Sequence, residues 1–392
     1  MIQNIAFYLD YFIYVLMLVS VSYLFIFVLF SLFGKKKKIP TASHRCRYAV
    51  IFPAYKEDKV IESSVVSFLE QDYPSNLFDL IVISDQMQLE TNQRLREQPI
   101  ELLEVHFENS TKAQSLNFAI NTLDTDRYDA VIILDADNTV NKNFLTEINN
   151  AYTSGVVAAQ AHRAAKNQET DIAILDAMSE EINNTIFRKG YDRAGLSCTL
   201  SGSGMMFDYR LFKENVSQLS SSGEDKELEA LFLKQKIHIQ YLEDVFVYDE
   251  KTKKTDAFYQ QRRRWLAAQY GTLFRSLKDL PKAIMDLNID YCNKILQWMM
   301  FPRIILIGFI SVMTILTSVI CLSSSIKWWI LLGVLLLTFI LAVPRNMFDR
   351  RLLKALWRIP ILFVLMVLNM FRLKGVYRKF IHTDHEHEKA ID

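Results

Sequence analysis

Residues 11–33 form an uninterrupted uncharged run of 23, rich in Phe and Leu. About 20 apolar residues suffice for a helix to cross a bilayer, and a buried core helix would be shorter. Asp10 precedes the run and Lys35-Lys36-Lys37-Lys38 follows it. A secretory signal has the reverse order, with positive charge first. The positive-inside bias therefore predicts an external N-terminus and a cytosolic chain beyond Lys35. Sustained apolar density returns only near the C-terminus, over residues 304–325, 328–343 and 352–371. Trp328 and Trp329 are placed as interfacial anchors, and the last run includes Lys354, Arg358 and Pro360. If all three runs cross, the tail with Arg372, Lys374, Arg378 and Lys379 falls outside, against the charge rule.

Between the spans the pattern alternates. Tyr48-Ala49-Val50-Ile51-Phe52, ended by Pro53, is a short apolar run of the kind expected for a buried parallel strand. Residues 60–70 have helical spacing, and residues 80–83 make a second strand that delivers Ser84-Asp85. Residues 112–123 read as a helix and 130–134 as a third strand, delivering Asp135. Residues 224–234 and 257–277 read as later helices, the last one amphipathic. This repetition predicts an α/β domain with an open, mostly parallel sheet and helices on both faces. Ligands of such sheets bind beyond the carboxyl ends of the strands. Pro53 and Tyr55, Asp85, and Asp135 with Asp137 all fall at those ends.

The chain has 392 residues, 51% hydrophobic and 23% charged, which suits a soluble domain joined to membrane segments. Its net charge of +1 argues against a nucleic-acid partner. Cys46, Cys198, Cys292 and Cys321 are scattered, so a reduced, cytosolic setting is the simpler reading. The predicted organisation is an N-terminal span and basic flank (1–38), a cytosolic domain (39–255) and interface helices (256–296). A membrane block (297–374) and a polar tail (375–392) follow. The His- and Glu-rich stretch 382–388 reads as solvated surface.

Neither GxGxxG nor GxxxxGK[ST] occurs, so a bound diphosphate would need a cation and basic side chains. Asp135-Ala136-Asp137 puts two carboxylates one residue apart where a buried strand turns, a pair suited to Mg²⁺ or Mn²⁺. A lone pair of this kind is more often a loop cap; the preceding strand favours the metal. Glu224-Asp225 opens a helix, where carboxylates commonly answer the dipole. The functional alternative makes Asp225 a general base. In Gln261-Arg262-Arg263-Arg264-Trp265, Arg264 suits a phosphate, Trp265 a sugar face and Gln261 hydroxyls. An interfacial helix would instead turn its arginines to lipid headgroups, a place open to Arg262 or Arg263. His106, His162 and His238 read as structural, with His162-Arg163 a lesser candidate near the donor.

In this order and spacing the residues resemble membrane-integrated glycosyltransferase family 2, with a GT-A domain. Cellulose, hyaluronan, chitin and poly-N-acetylglucosamine synthases belong there, and ceramide glucosyltransferase carries related motifs. Pro53-Ala54-Tyr55-Lys56-Glu57 resembles the family's first-strand element, implying that Pro53, Tyr55 and Glu57 lie at the uracil. Ser84-Asp85 resembles its nucleoside-binding Asp, and Lys112-Ala113-Gln114-Ser115-Leu116-Asn117 its element near the donor. Asp135 and Asp137 resemble its metal motif, and Asp225 of Glu224-Asp225 its base. Ser201-Gly202-Ser203-Gly204 sits where related synthases carry an acceptor loop, implying acceptor contacts from Ser203 and Gly204. The pentad resembles Gln-x-x-Arg-Trp. Three departures stand out: Thr199-Leu200-Ser201 replaces Cys-Gly-Ser, no clear gating segment follows the pentad, and about four membrane helices are too few for a large channel.

The resemblance implies inverting, metal-dependent transfer from a UDP-sugar at the cytosolic face of a bacterial inner membrane. Membrane lipids and an accessory export or assembly subunit are the implied partners. The span–domain–span order favours a growing β-linked polysaccharide as product. Single transfer to a membrane lipid (a polyprenyl phosphate, sphingolipid or glycerolipid) is the alternative. An inactive scaffold would be expected to have lost a carboxylate from the series, and none is missing.

Overall fold

The computed structural model describes residues 2–221 and 223–372. Its central strand faces two cores. In β1 (Tyr48–Tyr55), Tyr48, Val50 and Phe52 pack with Leu80, Val82, Ala130 and Ile132, while Ala49 and Ile51 pack with Ile81, Ile83, Val131 and Ile133 on the other side. A strand covered on both faces is apolar at every position, which explains the continuous runs in the sequence. The remaining strands are β2 (Phe78–Asp85), β3 (Glu101–Val105), β4 (Ala130–Ile133), β5 (Thr139–Val140), β6 (Ala158–Ala165), β7 (Met205–Asp208) and β8 (Gln240–Asp249). The sheet order is β3-β2-β1-β4-β7-β6-β8-β5.

The pairs β1·β2, β1·β4, β2·β3 and β6·β8 are parallel. β7 lies antiparallel between β4 and β6, and β5 antiparallel on β8. This reversal is absent from the sequence pattern, because a four-residue strand has too few positions to record its direction. The chain passes from β1 to β2 on one side and β4 on the other, so the carboxyl end of β1 is a switch point where ligands bind. Helices Ile61–Leu69, Lys112–Thr122, Glu224–Lys234 and Thr255–Ser276 lie within about two residues of their expected bounds.

Among the described residues four helices have the length and apolarity to cross a membrane: Phe7–Phe33, Arg303–Ile320, Leu322–Ala342 and Arg350–Phe371. The run expected over 304–325 is interrupted at Cys321, whose backbone is extended (φ −157°, ψ 103°). Residues 322–325 therefore join the next helix, lengthening the short expected run to 21 residues. Met17, Val21, Leu24 and Val28 of the N-terminal helix pack with Leu306, Ile310, Trp328, Leu331 and Leu335.

Polar contacts group the helix ends. Asp10 pairs with Lys327 and accepts from Trp328 Nε1 (2.9 Å) at one end. At the other, Lys36 pairs with Asp244, Lys37 donates to Gln240 (3.1 Å), and Thr185 donates to the Ala342 carbonyl (2.7 Å). The N-terminal helix also lies against the π-helix Asn184–Gly190. A Cβ on Gly190 would stand 2.3 Å from the Phe27 carbonyl oxygen, so only glycine admits this approach.

The helix Arg350–Phe371 behaves differently. Arg358 near its start lies 3.4 Å from Asp171, and at its finish Asn369 donates to the Tyr259 carbonyl (3.1 Å) and the Arg372 carbonyl accepts from Arg263 (2.8 Å). Both ends rest on the sheet domain and its flanking helix. Lys374, Arg378, Lys379 and the 382–388 stretch lie outside the described residues.

Candidate active site

A cavity of about 660 Å³ is lined by Pro53, Tyr55, Glu57, Asp85, Lys112, Asp135, Asp137, Glu224, Asp225, Gln261, Arg264 and Trp265. They come from separate elements, and the sheet register brings them together. Tyr55 is opposite Asp85 at the ends of β1 and β2. The residues after them, Lys56 (φ 56°) and Gln86 (φ 54°), both take left-handed backbone. Such strained pairs concentrate at functional sites. Asp85 is buried; one carboxylate oxygen accepts from the Phe107 amide (3.3 Å) and the other has no hydrogen-bond partner. A buried acceptor left open at a strand end is suited to a ligand N–H or O–H.

Asp135 follows β4, with its amide donating to Asn138 Oδ1 and Ser203 Oγ (3.0 Å each). Asp137 accepts from Asn138 Nδ2 (3.1 Å) and from the Glu250 amide (3.0 Å). Thr111 caps the Lys112 helix, accepting from the Gln114 amide (3.2 Å), and so fixes Lys112 at its first turn. Lys112 donates to Asp135 and to the Gly202 carbonyl (2.8 Å) and lies 3.9 Å from Glu224. Burial opposes its charge, but Asp135 and Glu224 outweigh that and hold the ammonium above its usual value.

These oxygens fit a hard cation. Asp135 and Asp137 line one wall, near Asp249, which keeps one buried oxygen without a hydrogen-bond partner. Among the described residues no three such side chains form a complete ion cage. A two-carboxylate site completed by substrate phosphate and water is the arrangement that Mg²⁺ favours.

The base candidate is fixed from below. Asp225 accepts from the Lys226 amide (2.8 Å) and lies 3.3 Å from Lys226 Nζ, which also donates to the Leu200 carbonyl (2.9 Å). Glu229, one turn later, is 2.7 Å from Lys294. A Cβ on Gly223 would stand 2.5 Å from Ala268 Cβ, so glycine locks the base helix against the pentad helix. Burial lowers Arg264 below its usual value, with Glu224, Asp135, Asp225 and Glu57 pulling against it. Gln261 Oε1 is buried without a partner.

Burial pushes Glu224 up to about 7, Lys112 opposing and Asp225 adding to the rise. The folded protein then holds this proton more tightly than the unfolded chain between about 4.5 and about 7. Stability therefore falls as pH rises through that window, and the full cost is present above it. Glu224→Gln removes the titration. Its thermal midpoint should exceed that of the unmodified protein at about pH 8 and lose the advantage near pH 5. Equal differences at both pH values would contradict this assignment.

Not every expected residue reaches the cavity. Ser203 is buried, its hydroxyl donating to Asn138, and Gly204 (φ +67°) packs on Val247 and Ala161. Both lie behind the wall, which Ser201 and Gly202 form instead. His162 bonds Glu181 (3.1 Å), Asn184 (3.1 Å) and Tyr241 (2.8 Å), as a structural residue does. Its neighbour Arg163 lines the cavity, pairing with Asp249 (2.5 Å) and donating to the Ser201 carbonyl (2.8 Å). Arg262, a candidate for lipid headgroups, turns inward to Asp176 and lies over Phe258 (4.7 Å) and Trp265 (4.3 Å). Aromatic faces and a buried carboxylate stabilise a desolvated guanidinium that a helical pattern alone would place outside. Glu180, Arg188 and Arg303 also line the cavity. No motif marked them, since they lie far apart in sequence.

Residues 44–268, more than half of the chain, match the family described as "Glycosyltransferase like family 2". Among solved structures, the mannosyltransferase PcManGT from Pyrobaculum calidifontis, solved with GDP-Man and Mn²⁺, is similar at TM-score 0.52 and 16% identity. That match covers 86% of this chain and 99% of the other. TarS 1–349 of S. aureus gives TM-score 0.41 at 19% identity, covering 84% and 90%. No curated protein matches the chain significantly. With a match over its whole sheet domain, the chain belongs to glycosyltransferase family 2.

Proposed function

We propose that this glycosyltransferase is inverting and metal-dependent, and moves a sugar from a nucleoside-diphosphate donor to a hydroxyl of a membrane-held, lipid-linked acceptor. One observation carries the acceptor class. The cavity runs from Asp225 to a wall of Leu306, Ile307, Leu336, Ile340, Leu352 and Leu362. A sugar polymer drawn along aliphatic side chains would lose hydrogen bonds that nothing replaces. A lipid chain loses none there.

In the proposed reaction Asp85 and Tyr55 hold the nucleoside, and Asp135, Asp137 and Arg264 face the diphosphate. A divalent cation bound there would neutralise charge on the leaving diphosphate. Asp225 takes the acceptor hydroxyl proton. The acceptor oxygen forms its bond to the anomeric carbon as the bond to the diphosphate oxygen breaks, and the nucleoside diphosphate leaves with that electron pair. Arg264 and Lys112 answer the charge that develops. A single displacement inverts the anomeric centre. Expectation from the residues is a UDP-sugar, while the similar PcManGT was solved with GDP-Man, so both nucleotides belong in any trial.

We infer three crossings rather than four. The pairing of Asp10 with Lys327 and that of Lys36 with Asp244 support the first three helices as crossings with both ends matched. The helix Arg350–Phe371 touches the sheet domain and its flanking helix at both ends and begins with Arg350, Arg351, Lys354 and Arg358, features of a helix lying in the interface. Its tail then stays on the basic, cytosolic side.

A growing β-linked polysaccharide is the second reading, favoured by the order of span, transferase domain and spans. Purified protein in nanodiscs made with native lipid extract, given UDP- and GDP-sugars, separates the two. One added sugar on a solvent-extractable lipid, abolished by chelator and restored by Mg²⁺ or Mn²⁺, is expected in the mass spectra. A ladder of water-soluble oligomers from donor alone would sink the lipid reading, and retention at the new linkage would sink inversion.

A further inference from the structure

Arg303 lines the cavity at the first position of the helix Arg303–Ile320, which also supplies Ile304, Leu306 and Ile307 to its lining. One of its terminal nitrogens donates to the Ser179 carbonyl and hydroxyl (3.1 Å each), while the other is buried with no hydrogen-bond partner. The neighbouring cations are already matched: Arg262 by Asp176, and Arg188 by Glu180 at 2.8 Å. Among the described residues no carboxylate lies within ion-pair distance of Arg303. A buried, unmatched guanidinium is costly unless an anion arrives to meet it. Guanidinium donors favour phosphate.

We propose that Arg303 binds the phosphate of the acceptor, which is a sugar carried on a lipid phosphate or diphosphate. This rests on the lipid-acceptor reading above. Three chemistries line the same cavity: the base candidate Asp225, the cation Arg303, and the apolar Ile304, Ile307, Leu336 and Leu362. A glycosyl lipid phosphate presents a partner for each of the three, as hydroxyl, anion and chain. A neutral glycolipid would leave Arg303 unmatched. A bare lipid phosphate would bring its own anionic nucleophile and leave Asp225 without a proton to take.

The test uses full-length protein in nanodiscs with chelator present, so that the donor-diphosphate site does not compete. Affinities for farnesyl diphosphate, farnesyl monophosphate and farnesol are compared. Both phosphates should bind about tenfold or more tighter than farnesol. Arg303→Gln should erase that difference while farnesol binding and the affinity for nucleoside diphosphate with Mg²⁺ stay unchanged, and Arg303→Lys should keep part of it. Equal binding of farnesol and the phosphates by the unmodified protein overturns the phosphate site while leaving a lipid acceptor standing. That comparison holds even if the Gln variant fails to fold. No binding by any of the three, with transfer to soluble oligosaccharides instead, overturns the lipid reading itself.

Discussion

Asp225→Asn reduces transfer by about 10³-fold, the contribution of a positioned general base, while affinity for the donor nucleotide changes little. The substitution is nearly isosteric and keeps the oxygen that accepts from the Lys226 amide. It removes the charge that Lys226 Nζ faces at 3.3 Å and the lone pair that takes the proton. Burial opposes the charge of Lys226, but Asp225 and Glu229 hold it above its usual value, so a fixed positive charge stands beside the base candidate. The neighbour Glu224 has the opposite environment. Burial raises it, and it faces Lys112 on the donor side. Donor affinity measured by calorimetry, beside single-turnover rates, separates the two roles. If Asp225→Asn loses donor binding in proportion to rate, Asp225 is a donor ligand and the base assignment fails.

Lys294→Ala destabilises the protein by about 3–5 kcal/mol, as removal of one partner of a buried ion pair does. Lys294 and Glu229 are 1% and 0% exposed and 2.7 Å apart. Lys294 also donates to Thr199 Oγ1 (2.7 Å) and Gln297 (2.8 Å), while Glu229 accepts from the Leu200 amide (3.2 Å). Burial lowers Lys294 below its usual value despite Glu229, which shows how little water the pair retains. Taking away the ammonium leaves a carboxylate in the core, under the helix that carries Asp225. The double variant Lys294→Met with Glu229→Leu removes both charges and should regain much of the loss. Thermal midpoints of the purified single and double variants check this. A Lys294→Ala protein as stable as the unmodified one would mean that the pair is not desolvated in the folded chain.

Much of the candidate site was legible because its parts are local. Asp85, Asp135 and Asp137 each end a continuous apolar strand, and a buried parallel strand announces itself by composition. The helix opening at Glu224 shows in its apolar spacing. What the sequence concealed has a common character. Ser203 and Gly204 look like loop residues, yet they are packed behind the wall, one supporting Asp135 and the other filled around by Val247 and Ala161. Arg262 belongs to a basic triplet that resembles a lipid-facing surface, and only Phe258, Trp265 and Asp176 draw it inward.

By itself, the sequence determined the α/β alternation, the strand-end carboxylates, the helix that opens at Glu224 and the apolar segments, because each follows from periodicity or from neighbours within one element. The tertiary structure alone decided the direction of β7, the break at Cys321, the placing of the last apolar run with both ends against the sheet domain and its flanking helix, and the joining of the strand-end carboxylates and an aliphatic wall in one cavity. It also decided that, among the described residues, no carboxylate lies within ion-pair distance of Arg303. Direction, orientation and charge balance depend on residues far apart in sequence, as Ala130 and Asp208 or Ser179 and Arg303 are, and only the packed chain brings such residues together.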